Sequence, residues 1–143
     1  MLNVNLSVNV KAAKNKIKLK SKAVQQKIDK ALIDSVALLQ AEMKKSINER
    51  SYGRRYDRGA KVHIASAPGD APNTDSGRLI NSILTSYSRA SRSAKVYISK
   101  FADYAVYLEF GTKNGKLKKR PFFYPAIRKH RSTIRSRLRG VLR

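Results

Sequence analysis

An unbroken helical pattern from about Ser21 to Asn48 constrains the fold most. Val24, Ile28, Ala31, Leu32, Leu39, Met43 and Ile47 recur at steps of three and four, the spacing that lines up one face of an α-helix. Asp29, Asp34, Glu42, Lys27, Lys30, Lys44 and Lys45 fall mostly off that stripe, and no Gly or Pro interrupts it. A second helical stripe closes the chain. Ile127, Ile134, Leu138 and Val141 follow Pro125, a residue that suits the first turn of a helix.

Strand signals lie on both sides of the long helix. Leu2, Val4, Leu6, Val8 and Val10 alternate with Asn3, Asn5, Ser7 and Asn9. That is the period of a half-buried strand, and its asparagines make it an edge strand or an arm. Val62 to Ala65 reads as a short strand. Ile83 to Arg89, Ala94 to Ser99 and Tyr104 to Phe110 read as further strands joined by short turns, an antiparallel meander. In the last of these, Tyr104, Val106, Leu108 and Phe110 oppose Ala105, Tyr107 and Glu109. Ser51 to Ala60 is glycine-punctuated and arginine-rich, and is read as a loop. Ala67 to Asn73 carries two prolines and a glycine and cannot be regular structure. Thr74, Asp75 or Ser76 is expected to cap a short helix through Leu79 and Ile80.

These elements predict an α+β fold in which a long N-terminal helix and a C-terminal helix pack on a small antiparallel β-sheet. Residues 1–22 are expected to form an N-terminal strand and basic arm. Residues 23–143 then form a single α+β domain, with a basic loop at 50–60 and a basic C-terminal helix. The arm's basic stretch includes Lys11, Lys14, Lys16, Lys18, Lys20 and Lys22.

Charge is the next constraint. Lys plus Arg number 32 against 9 acids, a formal charge of +23. Such a surface attracts polyanions or acidic partners, in a way that weakens steeply with salt. Seven of the basic residues lie between Arg128 and Arg143 with no acid among them, more than helix capping requires. The absence of cysteine excludes disulfides and thiolate metal sites. No apolar run reaches the ~20 residues of a membrane span, and Asn and Ser break up any signal-peptide core. A soluble protein made in a cytoplasm is expected.

The search for chemistry finds little. His63 and His130 stand far apart without the acidic, thiol or imidazole partners of a metal or catalytic site. Gly111 to Leu117 resembles a phosphate loop only superficially. It has three residues between its glycines, and Leu117 stands where Ser or Thr would hold magnesium. Asp70 with Asp75, or Asp103 with Glu109, would need convergent geometry for acid–base work; turns and caps explain Asp70, Asp75 and Asp103 more simply. Glu109, set in an apolar run, is expected to require an Arg or Lys partner. Most aromatics read as core, with Tyr52 and Tyr56 the better exposed candidates for stacking on bases. No enzyme activity, cofactor or metal is expected.

Four stretches now combine. Ala67-Pro68-Gly69-Asp70-Ala71-Pro72-Asn73 precedes Ser76-Gly77-Arg78-Leu79. Tyr104-Ala105-Val106-Tyr107-Leu108-Glu109-Phe110-Gly111-Thr112 is followed by Arg120-Pro121-Phe122-Phe123-Tyr124-Pro125-Ala126. In this order they resemble a family of small tailed-bacteriophage proteins, the tail-component, tail-completion or head–tail connector proteins of the neck. The resemblance covers residues 67 to 127. It does not extend to the N-terminal strand, the basic linker or the Arg-rich loop.

The resemblance implies a structural virion protein at the head–tail junction, assembled in the bacterial host cytoplasm. It implies a homo-oligomeric ring, six-fold by expectation, around the DNA channel, touching head-closure, tail-terminator or tail-tube rings. It assigns Pro68, Gly69, Pro72, Gly77, Leu79, Tyr104, Glu109, Phe110, Gly111, Arg120, Pro121, Phe122 and Pro125 to fold and interface. Gly111 is expected to supply a backbone angle that other residues resist. Arg54, Arg55 and Arg58 are candidates for duplex DNA in the lumen. Arg128, Lys129, Arg131, Arg135 and Arg139 are candidates for a partner ring. Two other readings compete: a sequence-nonspecific nucleic-acid-binding protein acting through charge alone, and a small basic nuclease or ribonucleolytic toxin.

Overall fold

The long helix forms where its periodicity puts it. In the structure, a computed structural model that describes residues 2–7 and 22–141, helix α1 spans Lys22–Asn48. It buries Ile28, Ala31, Leu32, Val36, Leu39, Met43 and Ile47. Two polar side chains share that face, Asp29 and Ser35. The Ser35 hydroxyl donates to the Ala31 carbonyl one turn back at 2.6 Å, which satisfies a buried polar group inside its own helix. The basic stretch from Lys11 to Lys20, with Val8 and Val10 of the alternating run, lies outside the described residues.

Helix α1 lies on a three-stranded antiparallel sheet. Its strands are β1 (Asn3–Ser7), β4 (Ile83–Ser88) and β5 (Ser93–Ile98), in the order β1-β5-β4. Register explains the packing. Val4 sits opposite Val96 and Leu6 opposite Ala94, and residues directly opposite share a face. Ala94, Val96 and Ile98 are buried together with Ile83 and Leu2. The N-terminal strand is therefore an edge strand of this sheet and not a detached arm, because its apolar positions complete the face that β5 presents to α1. The Gln40 amide donates to the Ile83 carbonyl at 2.7 Å and ties α1 to the start of β4.

Helix α4 (Phe123–Val141) packs along α1 and closes the core with Phe123, Ala126 and Ile134. Glu42 on α1 accepts a hydrogen bond from Lys129 and pairs with His130 at 3.0 Å across the two helices. The α+β architecture with two helices on a small antiparallel sheet is as expected.

Three local expectations are corrected. Residues 104–110 are not a strand. A 3₁₀ turn (Lys100–Ala102) leads into helix α3 (Ala105–Phe110). Ala102, Ala105 and Glu109 are buried, a helical spacing, and the apparent alternation is incidental. Residues 51–60 are not a simple loop. Strands β2 (Arg55–Arg58) and β3 (Lys61–Ile64) form a second, two-stranded sheet. Its turn is Gly59–Ala60, with φ +62° at Gly59, the positive angle that two-residue hairpin turns demand and glycine supplies. Finally, neither Thr74 nor Asp75 caps the short helix α2 (Arg78–Asn81), and Ser76, one residue before the N-cap, reaches it only through a long bond, accepting from the Arg78 N–H at 3.4 Å. Gly77 occupies the N-cap without a side-chain bond. Thr74 bonds the end of α1 and Asp75 faces the hairpin.

Candidate functional site: a carboxylate clamp and two basic surfaces

The first turn of α4 must place its free backbone N–H groups, which have no intrahelical acceptors. The sequence Arg120-Pro-Phe-Phe-Tyr-Pro resolves this almost completely. Pro121 and Pro125 have no N–H to satisfy. The Arg120 N–H donates to the Leu108 carbonyl at 2.6 Å. The remaining three, from Phe122, Phe123 and Tyr124, all donate to the Glu109 carboxylate at 2.9 Å. Glu109 is 3% exposed. Its charge is met by helix-terminal amides and the positive end of the α4 dipole, not by the Arg or Lys partner expected. Alternating strand geometry would not present it this way; α3 is helical where it delivers this carboxylate.

Gly111 ends α3 with φ +80°. A Cβ there would come within 2.8 Å of the Leu117 carbonyl oxygen, so glycine is required on both conformational and steric grounds. The expectation of a special angle at this residue holds.

Arg120 reaches the other way. Its Nε donates to the Ser66 carbonyl at 3.1 Å, and the Gly69 N–H donates to the Lys119 carbonyl at 2.9 Å. The proline-rich loop is thereby tied to the α3–α4 connection. Its far side is held by Ser51, which is buried. The Ser51 hydroxyl donates to Asp70 at 2.7 Å and accepts from the Ala67 N–H at 2.8 Å. Asn73 brackets the Ser51 backbone, accepting from its N–H at 2.9 Å and donating to its carbonyl at 2.6 Å. Sequence reasoning does not find Ser51 or Asn73; a serine followed by Tyr-Gly-Arg carries no signal of its long-range partners.

Of the residues assigned to fold and interface, Pro72, Leu79, Glu109 and Phe122 are buried. Gly69, Gly77, Gly111, Arg120, Pro121 and Pro125 lie in or beside this network, and Pro68 is exposed at the loop. Tyr104 and Phe110 are exposed, as are Phe101, Tyr107 and Tyr124. The expectation that Tyr104, Tyr107 and Phe110 belong to the core is overturned, because the helical geometry at α3 turns them outward.

The basic candidates occupy two surfaces. Arg54, Arg55 and Arg58 are exposed on the hairpin, but each is engaged. Arg54 lies over the Tyr56 ring at 5.3 Å, Arg55 pairs with Asp57 at 3.1 Å and Arg58 with Asp75 at 3.0 Å. Such exposed pairs are weak and yield readily to a phosphate. Arg128, Arg131, Arg135 and Arg139 are exposed on α4 at steps of three and four, and none has an ion-pair partner among the described residues. Lys129 is turned toward Glu42 instead.

Asp29, expected off the α1 stripe, is buried and pairs with Arg92 at 2.8 Å and Arg89 at 3.5 Å. It anchors the β4–β5 turn, where Arg92 holds φ +46°. His63 lies 3.6 Å from Asp75, too far for a hydrogen bond. No group of three or more potential metal ligands forms among the described residues, and no described helix is long and apolar enough to cross a membrane.

No family model, curated protein or solved structure matches the chain.

Proposed function

We propose that this chain is a non-enzymatic structural subunit of a tailed-bacteriophage neck. It forms a ring at the head–tail junction, six-fold by our reading, and meets head-closure, tail-terminator or tail-tube rings. The observation that carries the reading is spatial. Two of the stretches behind the family resemblance are bonded directly, Leu108 to Arg120 and Glu109 to Phe122, Phe123 and Tyr124, and the proline-rich loop joins them through adjacent residues, Gly69 to Lys119 and Ser66 to Arg120. Much of a pattern scattered over residues 67 to 127 thus has one physical reason, a hydrogen-bonded junction that seats the start of α4. Rigid elements with fixed mutual geometry are what a ring wall requires, since small angular errors accumulate around a closed ring.

In this reading the hairpin arginines Arg54, Arg55 and Arg58 face the DNA channel and exchange their weak carboxylate partners for phosphates. The basic face of α4 serves protein contacts. The test is to block expression of the gene in its phage and image the lysate. Filled heads lying apart from tails are expected. Complete joined particles would overturn the reading.

The unpaired arginine stripe of α4 also favours a second reading, sequence-nonspecific binding of duplex DNA through charge. That reading expects affinity to fall by orders of magnitude between about 50 and 200 mM salt, whatever the DNA sequence. Weak binding with little salt dependence would dismiss it.

A further inference from the structure

Five aromatic rings stand on the outside of this protein, along the 3₁₀ turn, α3 and the first turn of α4. Phe101 is 74% exposed, Phe110 59% and Tyr107 57%, with Tyr104 and Tyr124 also exposed. The first four recur at steps of three along the 3₁₀ turn and α3, so each neighbours the next. Tyr124 joins them through its ring contact with Phe110 at 5.8 Å. Exposed apolar surface of this extent usually marks an interaction site.

Its charge says what kind. In a chain of +23, residues 101–112 contain no Lys or Arg. Asp103, exposed in their midst, has no ion-pair partner among the described residues. Beside it opens a cavity of about 110 Å³ lined mostly by apolar side chains, Leu2, Ile98, Ala102, Ala105 and Val106, with Lys100 and Asp103 also on its wall. Aromatic faces, an unpartnered carboxylate and an apolar recess form a receptor for arginine. The guanidinium stacks on rings and pairs with the carboxylate, while its methylene stem takes the apolar surface.

The complement is on the same molecule. Arg128, Arg131, Arg135 and Arg139 form an exposed, unpaired row on α4. The row rises by about 5–6 Å per step, close to the spacing of the aromatic stripe. Within one copy the two halves adjoin only at their ends. They run end to end, because Tyr124 precedes Arg128 by one turn on the same helix.

We propose that the aromatic stripe of α3 packs against the arginine row of α4 in a second copy of this chain. Every copy supplies both halves, so the partner is present whenever the chain is. The contact does not rest on the neck reading: two copies satisfy each other as a closed pair, or each engages the next in an extended array that closes as a ring.

The test uses the full chain, which has no cysteine. Tyr107→Cys and Arg131→Cys are made separately and mixed with a short thiol-reactive cross-linker at about 0.15–0.3 M salt, where net repulsion is screened. Heterotypic cross-links between the two variants are expected, in excess of homotypic ones. The double variant then tells the assemblies apart. Either a ladder of oligomers or dimers alone supports the surface; dimers alone would count against a ring. In sedimentation, Phe101→Ser with Tyr107→Ser, or Arg131→Glu with Arg135→Glu, should weaken self-association at least tenfold with an unchanged circular dichroism spectrum. Self-association that survives both changes would overturn this surface while leaving the ring reading intact. A chain that stays monomeric at all concentrations would overturn it too, and the fate of the ring would then be read from the images of heads and tails. Arginine changes that abolish DNA binding without altering self-association would assign the row to DNA and overturn the proposal.

Discussion

Glu109 and Asp29 are both nearly buried carboxylates in a strongly basic protein, and they are neutralised in opposite ways. Glu109 is met by three backbone N–H groups at a helix start. Asp29 is met by two arginine side chains from a hairpin turn. The backbone donors are held in place by α4 itself and lose no rotamer freedom. The arginines must be ordered, and Arg89 remains 77% exposed, so its share is screened by water. The contrast teaches that charge in this chain is used for architecture where backbone is the partner, and for adjustable contacts where arginine is.

Removing Glu109 should give the largest effect. Glu109→Ala leaves three donors without acceptors at the start of α4, and a loss of about 3–5 kcal/mol is expected, measured by urea unfolding. Glu109→Gln keeps one acceptor oxygen but aims an NH₂ group at the same donors, so it should recover only part of that loss. A Glu109→Ala protein of wild-type stability would refute the clamp.

Asp29→Ala should cost less, about 2–3 kcal/mol, because it strands a half-buried Arg92 that can partly reach water. Next in size is a difference between two variants at Arg92. Both Arg92→Ala and Arg92→Gly remove the ion pair, but only glycine relieves the left-handed backbone. Arg92→Gly should therefore be the more stable by about 1 kcal/mol. Equal stabilities would show that the turn carries no strain.

Between α1 and α4, hydrogen bonds from Lys129 and then His130 hold the Glu42 carboxyl below its ordinary range. A carboxylate with a lowered pKa in the folded state stabilises the protein above its unfolded value, and that contribution fades as pH falls through the folded value. The stability gap between wild type and Glu42→Gln should be open near about pH 6 and close toward about pH 3. A gap independent of pH would mean that the pair contributes through packing alone.

Smallest of all is the hairpin. Arg54→Ser, Arg55→Ser and Arg58→Ser together should change stability by less than about 0.5 kcal/mol. If these residues meet phosphates, however, the salt slope of DNA binding should drop by about 0.9 for each phosphate that is no longer neutralised. An unaltered slope would remove the hairpin from the proposed DNA contact.

The parts of this molecule legible from sequence are those with a long period or a long alternation. Helix α1 and helix α4 carry stripes of several turns, and β1 and β5 alternate against one core face. Tyr104–Phe110 reads wrongly as a strand because so short a run contains too few repeats to separate a period of two from one of 3.6. The hairpin strand β2 escapes notice because it buries little: all of it is exposed, so no apolar pattern marks it. Among the site residues, Gly111 is legible, since a glycine after an apolar run suggests a special angle. The partner of Glu109 is not, because backbone donors leave no mark on residue type.

By itself, then, the sequence determined the fold class, the two principal helices, the sheet face that covers them and the excess of positive charge. Those follow from periodicity and composition, which are local and additive. Only the tertiary structure decided that Glu109 seats the start of α4, that Asp29 fastens a turn, and that the rings of α3 face outward while a row of α4 arginines stays unpaired. Each of these depends on which groups the chain brings together across tens of residues. The same carboxylate is a salt-bridge partner, a cap or an exposed receptor according to the dipoles and charges that reach it.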